Sequence, residues 1–156
     1  MRLEYFEMID RIVEMDVAGG KIHTEATLPA ESPIFEGHFP GLPLMPGVLM
    51  CEAMAQTCGW LIVAREKFRR MPFLASLREA KFRGFVRPRD HFSLWAELTH
   101  DGSGFTVAQA RGEVGGKVVC EAAITFRILP FPEELKKYME SHAHRISFPL
   151  ETILND

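Results

Sequence analysis

From Gly47 to about Glu66 the chain reads GVLMCEAMAQTCGWLIVARE, apolar nearly all round at helical spacing. A helix without a polar face belongs inside a protein, so this segment predicts a helix buried by its neighbours. Pro46 stands where a first-turn proline is tolerated. Downstream, the spacing changes to that of strands. Residues 73–86 (FLASLREAKFRGFV), 91–100 (HFSLWAELTH), 104–114 (GFTVAQARGEV) and 117–129 (KVVCEAAITFRIL) read as strands. Arg87-Pro88-Arg89-Asp90, Asp101-Gly102-Ser103-Gly104 and Gly115-Gly116 separate them with turn chemistry. The last two breaks are short enough for antiparallel hairpins. Before the helix, FEMIDRIVEMDV (6–17) fits helix or strand. The Gly19-Gly20 pair and the alternating KIHTEATL favour strand–turn–strand. Residues 29–46 read as a loop rich in Pro and Gly, and Pro72 marks the far side of the loop after the helix.

One long helix among about six strands predicts an α+β architecture, an antiparallel sheet wrapped round a central helix. Residues 1–130 carry this arrangement. Residues 131–156 read as a C-terminal extension of the same single domain. Within it, EELKKYMESH after Pro132 predicts a short amphipathic helix, acids first and lysines next, the order the helix dipole favours. The closing AHRISFPLETILND has no clear pattern.

The chain has 156 residues, 47% hydrophobic and 25% charged, which suits one globular domain with a single core. Glu52, Gln56 and Thr57 interrupt the apolar stretch after Pro46, and charges follow from Arg65, so a membrane span is not expected. The N-terminal MRLEYFEMIDRIVEMD places acids in every turn and shows no signal-like apolar core. Cys51, Cys58 and Cys120 lack CxxC spacing, which speaks against a disulfide framework or a zinc site. The cytoplasm is the expected location.

Charge is segregated. Residues 1–36 hold eight acids and three Lys/Arg, whereas 65–89 hold nine Lys/Arg and two acids. Such a basic stretch could dock an acidic partner. The plainer reading is a solvated helix end plus one polar strand face. Nucleic acid fits less well, because the net charge is −3 and aromatic residues are not interleaved with the basic cluster as a stacking platform needs.

Candidate chemistry lies in FEGHFPGLPLMPGVLMCEAMAQTCGWLIVA, residues 35–64. Glu52 sits among Val48, Leu49, Met50, Ala53 and Met54. Desolvation disfavours a carboxylate, and an acid kept protonated near neutrality is a good proton donor. Gln56, one turn on, is placed to hold Glu52 by a hydrogen bond. A buried polar pair that only fixes helix packing would look the same. His38 lies in a loop stiffened by Gly37, Pro40, Gly41, Pro43, Pro46 and Gly47. Most loop histidines are inert, but loops this constrained tend to position something, and imidazole takes a proton near pH 7. Gly47 falls at the helix N-terminus, where N–H groups lack partners and the dipole is positive. Without a side chain, Gly47 lets a carbonyl approach that N–H. Base, acid and oxyanion donor together suit α-proton abstraction beside a thioester carbonyl with loss of a β-hydroxyl as water.

GHFPGLPLMPGVLMCEAMAQ, residues 37–56, resembles the active-site motif of the 3-hydroxyacyl-(acyl carrier protein) dehydratases of the FabZ type. AKFRGFVRPRDHFSLWAEL, residues 80–98, resembles the strand pair downstream of the central helix in that family. The resemblance spans roughly residues 6–129. It implies a hotdog fold and a dimer with joined sheets, often assembled into a trimer of dimers. It implies that His38 of one subunit and Glu52 of the other share an active site at the end of an apolar acyl tunnel. His38 would be the base at Cα, and Glu52 would protonate the departing hydroxyl. The Gly47 N–H would bind the thioester oxygen, the Leu44 carbonyl would orient His38, and Gln56 would support Glu52. The substrate would be a 3-hydroxyacyl chain on the phosphopantetheine of an acidic acyl carrier protein. Lys81, Arg83, Arg87 and Arg89 are then candidates for docking that carrier. No metal or organic cofactor is implied. Glu rather than Asp at position 52 favours dehydration without the isomerisation of FabA-type enzymes. A hotdog-fold thioesterase is the alternative. The N-terminal segment and residues 130–156 depart from the family pattern, in keeping with a member specialised for long acyl chains.

Overall fold

The computed structural model describes residues 1–155. After a 3-10 turn at Leu3–Tyr5 come β1 (Arg11–Asp16), β2 (Lys21–Thr27), α1 (Pro33–Gly37) and α2 (Gly47–Arg65). Then follow β3 (Arg70–Phe82), β4 (His91–Gly102), β5 (Phe105–Val114), β6 (Lys117–Pro130), α3 (Glu133–Arg145) and α4 (Leu150–Asn155). The six strands form one sheet in the order β1-β2-β4-β5-β6-β3, all neighbours antiparallel. The sheet curls round α2, giving the expected α+β hotdog architecture.

Alternation in the strands decides which face meets the helix. In β2, Ile22, Thr24 and Ala26 are buried; across the ladder they pair with Ala96, Leu94 and Phe92 of β4, also buried. The Phe92 ring needs room from β5. A Cβ on Gly112 would come within 2.4 Å of that ring, so only glycine fits there. The one buried polar contact between sheet and helix is internally satisfied. Thr57 Oγ1 donates to the Ala53 carbonyl at 3.0 Å, which leaves its lone pair to accept from Thr24 Oγ1 at 2.8 Å. By length and composition alone α2 could cross a membrane, but most of it is enclosed by the sheet and belongs to the core.

Three local features go beyond the sequence reading. The 29–46 loop contains α1, whose start is signalled by Ser32-Pro33. The Ser32 hydroxyl accepts from the Ile34 N–H at 3.2 Å, and Pro33 occupies the first turn. Pro72 lies inside β3 rather than in the preceding loop. A proline is tolerated there because β3 is an outer strand that pairs only with β6. The closing segment forms α4, which buries Leu150 and Ile153. The extension packs back on the core: Trp60 of α2 contacts His142 and Phe148, and the Ile12 N–H of β1 donates to the Ile146 carbonyl at 2.8 Å.

β3 is long, apolar and open on one side. Leu74 and Leu77 pair with Phe126 and Ile124 of β6, both buried toward the helix. Directly paired residues share a face, so the two leucines also face the helix side. Yet they remain 56% and 38% exposed, and Val48 of α2 is 74% exposed. The helix therefore stops short of covering this end of the sheet.

Candidate active site

The chain from His38 to Gly47 is held by backbone bonds at both ends. The Leu44 N–H donates to the His38 carbonyl at 2.9 Å, the Phe39 N–H to Leu42 at 3.0 Å, and the Met45 N–H to Val86 at 2.8 Å. The His38–Phe39 peptide is cis. Within this frame His38 Nδ1 lies 3.1 Å from the Leu44 carbonyl. A carbonyl can only accept, so Nδ1 carries the proton and Nε2 keeps its lone pair. The half-buried ring stacks on Phe39, with centroids 4.1 Å apart. This is the Leu44 contact expected from the sequence, and it leaves a basic nitrogen facing away from the loop.

α2 begins at Gly47, and among the described residues its N–H has no backbone acceptor. A Cβ on Gly47 would come within 3.1 Å of the Phe82 ring. Glycine therefore serves two ends here: it leaves the N–H bare and makes room for the aromatic residue that ends β3. Phe82 had no signal in the sequence beyond belonging to a strand.

Glu52 Oε1 accepts from Gln56 Nε2 at 2.9 Å, the one-turn pair expected on this helix. Gln56 is itself gripped by the N-terminal segment. Its Nε2 also donates to the Phe6 carbonyl at 2.6 Å, and its Oε1 accepts from the Met8 N–H at 3.1 Å. All its bonding is thus used, and the amide orientation is fixed. Phe6 and Met8 were not legible as site residues, because backbone partners leave no mark in side-chain pattern.

Glu52 is half-buried in the single chain rather than enclosed by apolar side chains on every side. Val48, Cys51, Glu52, Gln56 and Gly59 form a partly exposed stripe along α2, on the side left uncovered beyond β3. No hydrogen bond or ion pair among the described residues joins His38 to Glu52 within one chain. The two groups each have their supporting contact, but a single chain does not bring them together.

The basic candidates divide into two pairs. Lys81 and Arg83 both reach Glu121, at 3.8 and 2.7 Å. The Arg83 hydrogen bond foremost, with Lys81 adding to it, holds the Glu121 carboxyl below its ordinary range. Arg87 lies over the exposed Phe85 ring at 5.6 Å, and Arg89 has a left-handed backbone with φ 69°. Both are exposed, and neither guanidinium has an acidic partner among the described residues. A larger hollow, of about 580 Å³, lies among His23, Trp95 and Arg111. It contains none of the residues from 38 to 56.

The cysteines are chemically quiet. Burial pushes the Cys58 and Cys120 thiols up to about 12, and Cys51 is raised by the same cause. None is poised as a nucleophile. No group of three metal-ligating side chains occurs among the described residues.

A pinned histidine, a bare helix N-terminus and an amide-held carboxyl on the central helix of a hotdog sheet define a class, and comparison with known proteins agrees. The FabA-like domain model matches residues 2–123, and the chain belongs to that family. Within it, the similar curated proteins are of the FabZ type. A 3-hydroxyacyl-(acyl carrier protein) dehydratase FabZ of Caldicellulosiruptor saccharolyticus is 39% identical over 124 residues, covering 79% of this chain and 88% of the relative. The FabZ of Levilactobacillus brevis is 38% identical over 119 residues, covering 76% and 80%. Solved structures share the fold at low identity. A conserved protein of Pseudomonas aeruginosa superposes with a TM-score of 0.63 at 20% identity, over 80% of this chain and 93% of its own. A hypothetical thioesterase of Streptococcus pneumoniae, solved with coenzyme A, gives 0.60 at 14% identity, over 79% and 90%.

Proposed function

We propose that the protein dehydrates (3R)-3-hydroxyacyl-(acyl carrier protein) to the trans-2-enoyl thioester in fatty-acid biosynthesis, as a hydro-lyase without metal or organic cofactor. The observation that carries this reading is the Nδ1–Leu44 hydrogen bond, which leaves His38 Nε2 as a free base, in a chain whose curated relatives are FabZ dehydratases.

In the reaction, His38 Nε2 removes a proton from Cα of the acyl chain. Negative charge grows on the thioester oxygen, and the Gly47 N–H stabilises it with the helix dipole behind it. Glu52 gives its proton to the β-hydroxyl, which leaves as water while the Cα–Cβ double bond forms. Transfer of the proton from imidazolium to carboxylate, through solvent, restores both groups. Gln56 is a positioning residue: it touches Glu52 and not the substrate.

The active site is completed by a second subunit. The partner's sheet joins along β3, covers Leu74, Leu77 and Val48, and brings its own His38 toward Glu52. A long, apolar, unpaired edge strand is a liability unless something pairs with it. A trimer of such dimers is the assembled form, and the cytoplasm its location. The carrier docks by its acidic surface on Arg87 and Arg89, which carry free charge, while Lys81 and Arg83 share theirs with Glu121. Residues 131–156 act as part of the same domain.

The test is incubation with carrier-linked 3-hydroxyacyl thioesters, followed by mass analysis of the carrier. Loss of one water with the thioester intact is expected. Release of free acid and thiol would instead indicate a thioesterase, and a cis-3-enoyl product a dehydratase-isomerase.

A further inference from the structure

A cavity of about 260 Å³ lies against α2. Glu52 is the first helix residue to line it, and Gln56, Gly59 and Val63 continue the wall. These positions recur every three or four residues, so they share one face. At 1.5 Å per residue the wall extends for roughly 16 Å beyond Glu52. Beyond Glu52 and Gln56 the helix wall is apolar. Met71, Pro72 and Leu74 of β3 form a second side.

The third side comes from the extension, through Tyr138, Met139 and His142 of α3. This side is fixed. His142 is 6% exposed and stacks on Trp60, with centroids 5.6 Å apart and planes within 9°. Arg145 donates to His142 Nδ1 at 2.8 Å and to Glu7 at 3.0 Å, tying α3 to the N-terminal segment. Burial foremost, and Arg145 next, lower the His142 pKa, so the ring stays neutral and can accept that bond. Gly59 is not a close-packing glycine. The nearest atom to a Cβ there would be Pro72 Cγ, at an ordinary 3.7 Å. Glycine at this position widens the cavity.

We propose that α3 is a length gauge: Tyr138, Met139 and His142 close the cavity that begins at Glu52 and so set the longest acyl chain the site accepts. This rests on the dehydratase reading for the position of the thioester, since Glu52 meets Cβ and the rest of the chain must run on past it. An aliphatic chain is the occupant because the cavity is polar only at the two residues nearest the reacting carbons.

The experiment compares kcat/KM over carrier-linked 3-hydroxyacyl thioesters of increasing length. Met139→Ala opens the end wall and raises the ratio for long over short chains by roughly tenfold or more, the scale of a methylene or two in an apolar pocket. Gly59→Leu fills the middle and lowers the same ratio by roughly as much. An unchanged ratio in both variants overturns the proposal. A binding readout separates it from the dehydratase reading. The chain has two tryptophans, so Trp95→Phe leaves Trp60 as the sole reporter. A 3-hydroxyacyl pantetheine thioester brominated at the chain end quenches Trp60 fluorescence in that variant, and Gly59→Leu removes the effect. Quenching without dehydration keeps the gauge and overturns the proposed reaction. Dehydration without quenching or a length shift overturns the gauge alone.

Discussion

His38→Ala and Glu52→Gln each lower kcat for dehydration by about three orders of magnitude, within the range for loss of a positioned acid or base. Both proteins keep the wild-type melting temperature and oligomeric state. Gln at position 52 preserves the side chain's shape and an oxygen that can still accept from Gln56 Nε2. It removes only the acidic proton. Ala at position 38 deletes the ring and its bond to Leu44, but the backbone bond from the Leu44 N–H to the residue 38 carbonyl remains. The loop therefore keeps its frame. Steady-state kinetics paired with thermal melts check both halves of this expectation. Loss of activity together with loss of structure would remove the catalytic reading of the residue concerned.

Leu77→Lys converts the protein to monomers and abolishes turnover. Leu77 faces the helix side of β3 and is 38% exposed only because no second sheet covers it. Once paired with a partner it would be buried, and an ammonium there would lie among apolar groups without a counter-charge. Leaving such a charge buried and unpaired costs about 3–5 kcal/mol or more, which weakens association by roughly two to four orders of magnitude. The monomer itself should fold, since the substituted side chain can reach water. Sedimentation velocity and activity are measured on the same sample. A monomer that still turns over substrate would remove the shared active site. An intact dimer would place the interface elsewhere.

The parts of this molecule legible in its sequence are those written in periodicity. The switch from all-round apolar helix to alternating strands gave α2, β4, β5 and β6 nearly to the residue, because each buries one face and each break carries Gly, Pro or Asp. β3 was harder. Its start at Arg70 lies ahead of Pro72, and a proline argues for a loop until one knows that the strand is at the edge of the sheet. That is a property of topology rather than of local pattern. α1 was hidden by the prolines around it, although Ser32-Pro33 is a helix start that could have been read. α4 is a six-residue helix held by tertiary packing, and no helix so short announces itself by its own propensity.

The site divides in the same way. Leu44 and Gln56 stand where the motif put them, each in hydrogen bond with the expected partner. The contacts of Phe6, Met8 and Phe82 are long-range in sequence and run through backbone atoms or ring edges, so spacing could not reveal them. The expectation of a dry Glu52 needs the second subunit. In one chain the residue is half-buried, because the apolar neighbours in its sequence point to both sides of the helix and only one side is covered.

The central claim is that one active site is built from His38 of one subunit and Glu52 of its partner. It is tested most directly by mixing two inactive proteins, His38→Ala and Glu52→Gln, under conditions of subunit exchange. In each mixed dimer one site has both native residues and the other has neither. Random exchange of a two-fold dimer then restores about a quarter of wild-type turnover. A mixture that stays as inactive as its components, with mixed dimers verified by mass, would mean that each subunit supplies its own acid and base.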